Sequence, residues 1–289
     1  MPISRSTGMP GVDAQHDFLR ARRRATAARL AARMRLEPDD VNVILPYEEV
    51  VEALGFVSEH RAGLKVVPLE LIVGSVDRPR DFDRHFRPTS GRVRSRWEQI
   101  AAAVRRGEAM PPIDVLRIGE IYFVRDGHHR VSVAQAMGWK DIDAYVTDVV
   151  TRVGADRTIT VTDLPLKSHE RVFYERVPLP EEARAQIQLT DPWDYGELAE
   201  CVEAWGFRAS QKSGEGLDRR QNAHFWFETE YEPIVSMLRE AEVIGDQTET
   251  DAYLRFIAAR YRLLRTHRWD EEVLQQVMDG ERKRRWRRD

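Results

Sequence analysis

Five consecutive residues near the middle of the chain, Asp126-Gly127-His128-His129-Arg130, combine side chains that can bind a phosphate group and move protons. Glycine lets the backbone approach an anion closely, and arginine offers a planar set of donors that matches phosphate oxygens. The two histidines add donors that also transfer protons near neutral pH. We therefore predict that residues 127–130 bind phosphate.

Asp126 is the one acidic residue of this loop. An isolated carboxylate would repel phosphate, so it fits either as a ligand of Mg²⁺ or as the partner that holds a histidine or an arginine in place. The plainer alternative is that Asp126 caps a helix and that the histidines are polar surface residues. A zinc site is disfavoured, because adjacent histidines point apart and no nearby cysteine or histidine cluster completes four ligands.

The flanking segments predict how this loop is held. Residues 121–124 are an apolar strand, and the helix predicted for residues 130–137 ends at Gly138. A helix start exposes unpaired N–H groups with a partial positive charge, which attract phosphate. Residues 113–124 are predicted to form a β-hairpin, because Gly119-Glu120 separates two apolar stretches.

Other periodic patterns complete an α+β domain. A helix is predicted around residues 93–104, whose apolar side chains repeat on one face, and strands are predicted at residues 64–69 and 142–146. The order of strand, helix, hairpin, helix and strand indicates a small mixed sheet with helices over residues 61–150. We expect residues 1–60 to form an N-terminal helical arm, and residues 151–289 to form a mainly α-helical C-terminal domain with a basic tail.

Arginine-rich segments lie near both ends of the chain. Arg22-Arg23-Arg24 belongs to a helix predicted over residues 16–36, and Arg284-Arg285-Trp286 belongs to the basic tail. Either segment could contact nucleic-acid phosphates, with the tryptophan stacking on a base, or could be a solvated surface. The tail could equally be an oligomer contact, so a homodimer is a further expectation.

Composition limits the class of protein. The chain has 289 residues and a formal net charge of -3, so its total charge does not indicate a nucleic-acid-binding protein. Cys201 is the only cysteine, which excludes an intrachain disulfide and agrees with a reducing compartment. No apolar run reaches the roughly 20 residues that span a bilayer, and the first residues lack the apolar core of a signal peptide. We expect a soluble, cytoplasmic protein without membrane contact.

Residues 64–146 resemble the N-terminal domain of the ParB/sulfiredoxin superfamily in two ordered blocks. In the first, a strand at residues 67–72 precedes Arg78-Pro79-Arg80 and Phe82-Asp83, where ParB proteins have Gln-Pro-Arg and then Phe-Asp. In the second, residues 111–115 lead to residues 127–130, where ParB proteins have Gly-Glu-Arg-Arg and sulfiredoxins have Gly-Cys-His-Arg. The resemblance covers under a third of the chain and implies a ParB/sulfiredoxin-like fold.

The resemblance also implies a function for these residues. The ParB loop binds the triphosphate of CTP, which implies nucleotide binding by Arg78, Arg80 and residues 127–130. His128 stands where sulfiredoxins carry the catalytic cysteine, so sulfinic-acid repair is excluded. The Asp-Gly-His-His-Arg sequence is similar to the loop of free-serine kinases of this fold, whose catalytic acid follows the first strand. Asp77 and Asp81 lie at a comparable place, and His128 could transfer protons beside them.

Three functions are compatible with these residues. A nucleotide-dependent switch would bind CTP, ATP or ADP with Mg²⁺ and change dimer formation or association with DNA. A phosphotransferase would act on a small hydroxyl substrate, with Asp77 or Asp81 accepting the hydroxyl proton. A DNA-binding adaptor would bind through its arginine-rich ends, with a strong salt dependence and no response to nucleotide. No helix-turn-helix segment, which follows this domain in ParB proteins, is recognisable after residue 150.

Overall fold

The computed structural model describes residues 7–37, 40–78, 80–264 and 271–285 of the chain. The chain divides into two compact units, residues 1–168 and residues 169–289. Within the described ranges, no helix is both long enough and apolar enough to cross a membrane.

The first unit begins with helices and continues as a sheet that two further helices interrupt. Its elements, in chain order, are α1 (Pro10–Met34), β1 (Leu45–Pro46), α2 (Tyr47–Leu54), β2 (Phe56–Pro68), β3 (Ile72–Ser75), α3 (Arg94–Arg105), β4 (Ile113–Ile118), β5 (Ile121–Asp126), α4 (His128–Met137) and β6 (Asp141–Thr151). The predicted hairpin is confirmed as β4 and β5, and the predicted central helix is α3.

Six strands of the described first unit form one mixed sheet in the order β1-β3-β5-β4-β6-β2. β4 and β5 are antiparallel, whereas β3 runs parallel to β5 and β4 runs parallel to β6. The strand predicted at residues 64–69 begins at Phe56 in the structure, because β2 pairs with β6 along its whole length. Residues 56–61 are exposed on both faces, so they lack the alternation that reveals a strand from sequence. The sheet and its helices confirm the predicted α+β class.

The buried side chain of Trp97 holds helix α3 against both α1 and α4. The Trp97 side chain of α3 is fully buried and packs edge-on against Phe18 of α1, with 5.5 Å between the ring centroids. Its indole N–H donates to the Ser132 hydroxyl of α4 over 2.8 Å, so the buried polar atom is satisfied. Full burial of a large apolar side chain contributes about 1.5–3 kcal/mol. This contact fixes the separation of α3 and α4, which form two walls of the site described below.

The second unit is helical, as predicted for the C-terminal half. α5 (Leu164–Arg176) runs across the boundary between the units, and the later helices are α6 (Glu181–Arg184), α7 (Asp194–Ser213), α8 (Arg219–Trp226), α9 (Glu232–Glu240), α10 (Glu249–Leu264) and α11 (Glu271–Arg285). Its core includes Trp226, whose indole N–H donates to the Tyr253 hydroxyl over 2.8 Å. Cys201 lies in α7, and burial raises the pKa of its thiol to about 11, which keeps the thiol neutral.

Candidate functional site

The loop between β5 and α4 turns at Gly127. This residue has φ 103° and ψ 17°, in the left-handed region that favours glycine, and α4 begins at the next residue. The helix had been predicted to begin at Arg130, but the structure places His128 and His129 in its first turn. Backbone N–H groups of that turn, which lack helical acceptors, therefore face the same space as the side chains of the loop.

Gly127 is also required by the packing of the loop. A Cβ atom at this position would lie 2.5 Å from Cγ2 of Ile113, the first residue of β4. Since the Ile113 side chain belongs to the buried core, it has little room to move. Any residue other than glycine would strain both the turn and the core beneath it.

Arg130 is committed to holding the loop together. Its Nη1 donates to the carbonyl oxygens of Pro111 at 2.9 Å and Pro112 at 2.5 Å, and its Nη2 donates to Asp126 at 2.5 Å. Its side chain is only 15% exposed, whereas that of Asp126 is 76% exposed. Of the two roles considered for Asp126, the structure shows the one in which it holds an arginine. No group of three His, Cys, Asp or Glu side chains that could bind a metal ion occurs among the described residues.

His128 is buried beneath the loop in a hydrogen-bonded chain. Its Nε2 lies 2.8 Å from the hydroxyl of Ser75 at the end of β3, and that hydroxyl accepts the backbone N–H of Arg78 over 2.9 Å. The Ser75 hydroxyl therefore connects the backbone of Arg78 to the buried imidazole. The ring stacks on Phe82, with 6.4 Å between ring centroids, and lies tilted against Phe86 at 6.3 Å.

The environment keeps both histidines of the loop neutral near pH 7. Burial, followed by the positive charge of Arg78, lowers the pKa of His128 to about 4. Burial also lowers the pKa of His129, with Arg78 and Arg96 adding to the effect. The positive charge at this site therefore comes from arginine side chains and the helix terminus, not from the histidines.

A cavity of about 400 Å³ opens beside the start of α4. Its basic lining residues outside the loop are Arg78 and Arg96, and Glu108 is acidic. Apolar side chains of α3 and of the segment after it also line the cavity, namely Ile100, Ala103, Val104 and Met110. Sequence reasoning missed Arg96, although its position four residues before Ile100 places both on one side of α3. It also missed Ser75, whose role depends on a residue 53 positions away.

The structure brings together most, but not all, of the predicted phosphate-binding residues. Arg78 lines the cavity with residues 126–130, whereas Arg80 does not, and the Arg80 backbone carbonyl accepts the Thr89 hydroxyl over 2.8 Å. Asp81 lies 3.7 Å from Arg78 in an ion pair. Asp77 is exposed, does not line the cavity, and its charge acts on His128.

The predicted nucleic-acid-binding residues are only partly described. Arg22, Arg23 and Arg24 are exposed on α1. The backbone of Arg284 and Arg285 ends α11, and their side chains, like all of Trp286, lie outside the described residues.

The Gly127→Ala variant is expected to be less stable than the Gly138→Ala variant. Both glycines have a positive φ, which costs other residues about 1–2 kcal/mol, but a Cβ at Gly138 meets no atom within 4 Å. The contact with Ile113 should cost Gly127→Ala about 1–3 kcal/mol more. Urea denaturation of the two variants measures this difference, and equal losses would contradict the packing requirement.

The His128→Asn variant is expected to reduce the pH dependence of stability between pH 4 and 6.5. The folded protein keeps His128 neutral down to about pH 4, whereas the unfolded chain protonates it near pH 6.5. Acidification through this window therefore lowers the free energy of unfolding, by at most about 1.4 kcal/mol per pH unit for one proton. Urea denaturation at several pH values measures the slope, and an unchanged slope in the variant would count against the buried neutral histidine.

Comparison with known proteins agrees with the two sequence blocks. A family model described as the ParB N-terminal domain matches residues 60–160. A search of curated proteins found no match. Among solved structures, sulfiredoxin from Arabidopsis thaliana is 22% identical, over 30% of this chain and 86% of that chain, with a TM-score of 0.22. The C2221 form of a Pnob8-like ParB-N domain is 15% identical, over 71% of this chain and 82% of that chain, with a TM-score of 0.21. Residues 60–160 are therefore similar to ParB N-terminal domains, as the two sequence blocks predict.

Proposed function

We propose that the first unit binds a nucleoside di- or triphosphate in the cavity between α3 and the start of α4. The observation that carries this proposal is that two arginine side chains, a helix start and several apolar side chains line one cavity. A nucleotide needs both kinds of surface, because its phosphates are anionic and its base is a flat ring with apolar faces. A volume of about 400 Å³ falls within the range of small-molecule sites.

The phosphates would lie against the first turn of α4 and the side chains of Arg78 and Arg96. Arg96 forms no ion pair within the described part of the chain, and the ion pair of Arg78 with Asp81 is long, at 3.7 Å, and half-exposed. Such a surface pair contributes at most about 1 kcal/mol, so phosphate can displace it. Arg130, whose donors already hold Pro111, Pro112 and Asp126, would position the loop and not compete for phosphate.

Magnesium would come with the nucleotide and not from a site made by the protein alone. Mg²⁺ keeps several waters and commonly binds through one or two carboxylates plus substrate phosphates. Asp126 is exposed at the cavity, so it fits as the single carboxylate of such an arrangement. The ion would neutralise phosphate charge, and Asp126 would bind it through Oδ1 while Oδ2 keeps its contact with Arg130.

A phosphotransferase would need a further carboxylate to accept the proton of a hydroxyl substrate. Asp81 is paired with Arg78, whereas Asp77 has no ion pair among the described residues. Asp77 is therefore the better of the two for this role. Transfer of phosphate from ATP to free serine would distinguish a kinase from a switch that only binds nucleotide and changes its assembly.

Calorimetric titration with CTP, ATP and ADP in the presence of Mg²⁺ tests nucleotide binding. We expect saturable binding that weakens about tenfold in Arg78→Gln and in Arg96→Gln, since each removes a charge-assisted hydrogen bond. Arg61→Gln is the matched control, because Arg61 is exposed on β2 and lies outside the cavity. Absence of binding by all three nucleotides, or equal weakening by the control, would reject the proposed site.

A second candidate function, association with DNA, is favoured by the exposed face of α1. Arg22, Arg29 and Arg33 recur at helical spacing along about 16 Å of the helix. All three are exposed and form no ion pair within the described residues. The acidic residues of α1, Asp13 and Asp17, are buried against Arg105 of α3 and do not neutralise this stripe.

Fluorescence anisotropy with duplex DNA at several salt concentrations tests the α1 stripe. We expect the triple variant Arg22→Gln/Arg29→Gln/Arg33→Gln to bind more weakly and to lower the slope of log K against log salt by about 3, one counterion per lost contact. The triple variant Arg61→Gln/Arg92→Gln/Arg220→Gln has the same net charge and should keep the native slope. Equal slopes for the two variants would rule out the stripe as a specific contact surface.

A further inference from the structure

A second cavity, of about 710 Å³, lies at the opposite end of α4 from the loop of residues 126–130. Gln135, near the end of the helix, and Trp139-Lys140, just beyond it, form one wall. The other walls come from the junction of β2 and β3, from the segment after β3 and from the segment after β6. The lining residues are Leu69, Glu70, Ile72, Val73, Arg84, His85, Gln135, Trp139, Lys140, Asp141, Arg157 and Thr158.

Three cationic side chains of this cavity have no ion-pair partner among the described residues. Arg84 is buried, its Nη2 donates to the carbonyl oxygen of Arg157 over 2.7 Å, and its Nη1 is buried without an acceptor. Lys140 and Arg157 are exposed and form no ion pair in the described part of the chain. Arg84 Nη1 thus lacks an acceptor, but it has almost no accessible surface, so the cations that a ligand in the cavity can contact are Lys140 and Arg157.

Nearby carboxylates do not supply that acceptor. The charges of Asp40, Asp156 and Asp163 act on Arg84, but these side chains accept hydrogen bonds from threonines. Glu70 and Asp141 reach the cavity without pairing with its cations. Their negative charges would repel a polyphosphate more strongly than an anion with a single charge.

The rest of the cavity is apolar or aromatic. Leu69 and Ile72 are buried, and Trp139 is 43% exposed, so part of its indole is accessible to a ligand. An indole face beside aliphatic side chains favours a flat apolar body. The cavity thus offers a cationic group of side chains next to a surface for an aromatic ring.

We propose that this cavity binds an aromatic carboxylate. The carboxylate accepts hydrogen bonds from Lys140 and Arg157, the buried charge of Arg84 adds to the attraction, and the ring lies between the Trp139 indole and the aliphatic wall. This site is separate from the proposed nucleotide site, because the two cavities share no lining residue.

The test uses benzoate, 1-naphthoate and indole-3-acetate as probes for the full-length protein. The indole N–H signal of Trp139 in a two-dimensional ¹H–¹⁵N spectrum is identified by its loss in Trp139→Phe. We expect a saturable shift of that signal with at least one carboxylate. The corresponding neutral amides should leave it unchanged, because they lack the charge that the cations require.

Substitution of two exposed residues tests ligand binding without disturbing the folded core. The double variant Lys140→Gln/Arg157→Gln should fold normally and should weaken carboxylate binding by about tenfold or more. Arg61→Gln, an exposed arginine outside the cavity, should bind as the native protein does. The proposal is overturned if none of the three carboxylates gives a saturable shift, if the amides shift the signal equally, or if the double variant binds with unchanged affinity.

Discussion

The rest of the site depends on the hydrogen bonds of the Arg130 guanidinium. It joins the carbonyl groups of Pro111 and Pro112, before β4, to the carboxylate of Asp126 at the end of β5. These hydrogen bonds hold together the open end of the β4–β5 hairpin. A guanidinium can do this because its donors lie in one plane and point in fixed directions. With this clamp in place, Gly127 can hold its left-handed turn and α4 can begin directly after it.

As a consequence, the arginines of the site have different roles. Arg130 already serves three acceptors and so has fewer donors left for an anion, which is why we propose Arg78 and Arg96 as the residues that would face phosphate. Arg78 is oriented through its own backbone N–H, which donates to the Ser75 hydroxyl and so links it to the buried His128. The histidine therefore acts as part of the framework, and its neutrality follows from burial next to a fixed cation.

The local distribution of charge in this protein is more informative than its net charge. The chain is slightly acidic overall, yet the cavity beside α4, the second cavity and the exposed side of α1 each hold arginine or lysine groups without ion-pair partners among the described residues. Elsewhere, basic side chains are used in pairs, such as Arg105 with Asp17 or Arg117 with Asp148. Unpaired cations near concave or elongated surfaces are the places where anionic ligands are stabilised most, because no internal partner must first be displaced.

The sequence by itself determined the similarity to ParB N-terminal domains, the hairpin, and the loop at residues 126–130, because these depend on local patterns. Apolar periodicity, a turn-forming glycine and a strand-to-helix transition act over a few residues and can be recognised from them. The length of β2 was not predictable, since residues 56–61 become a strand only by pairing with β6, almost 90 residues later. Tertiary structure alone decided that Arg130 holds the loop, that Arg96 joins the cavity and that Arg80 does not. Each of these outcomes depends on which distant backbone carbonyl or side chain comes within hydrogen-bonding distance, and no spacing along the chain encodes that.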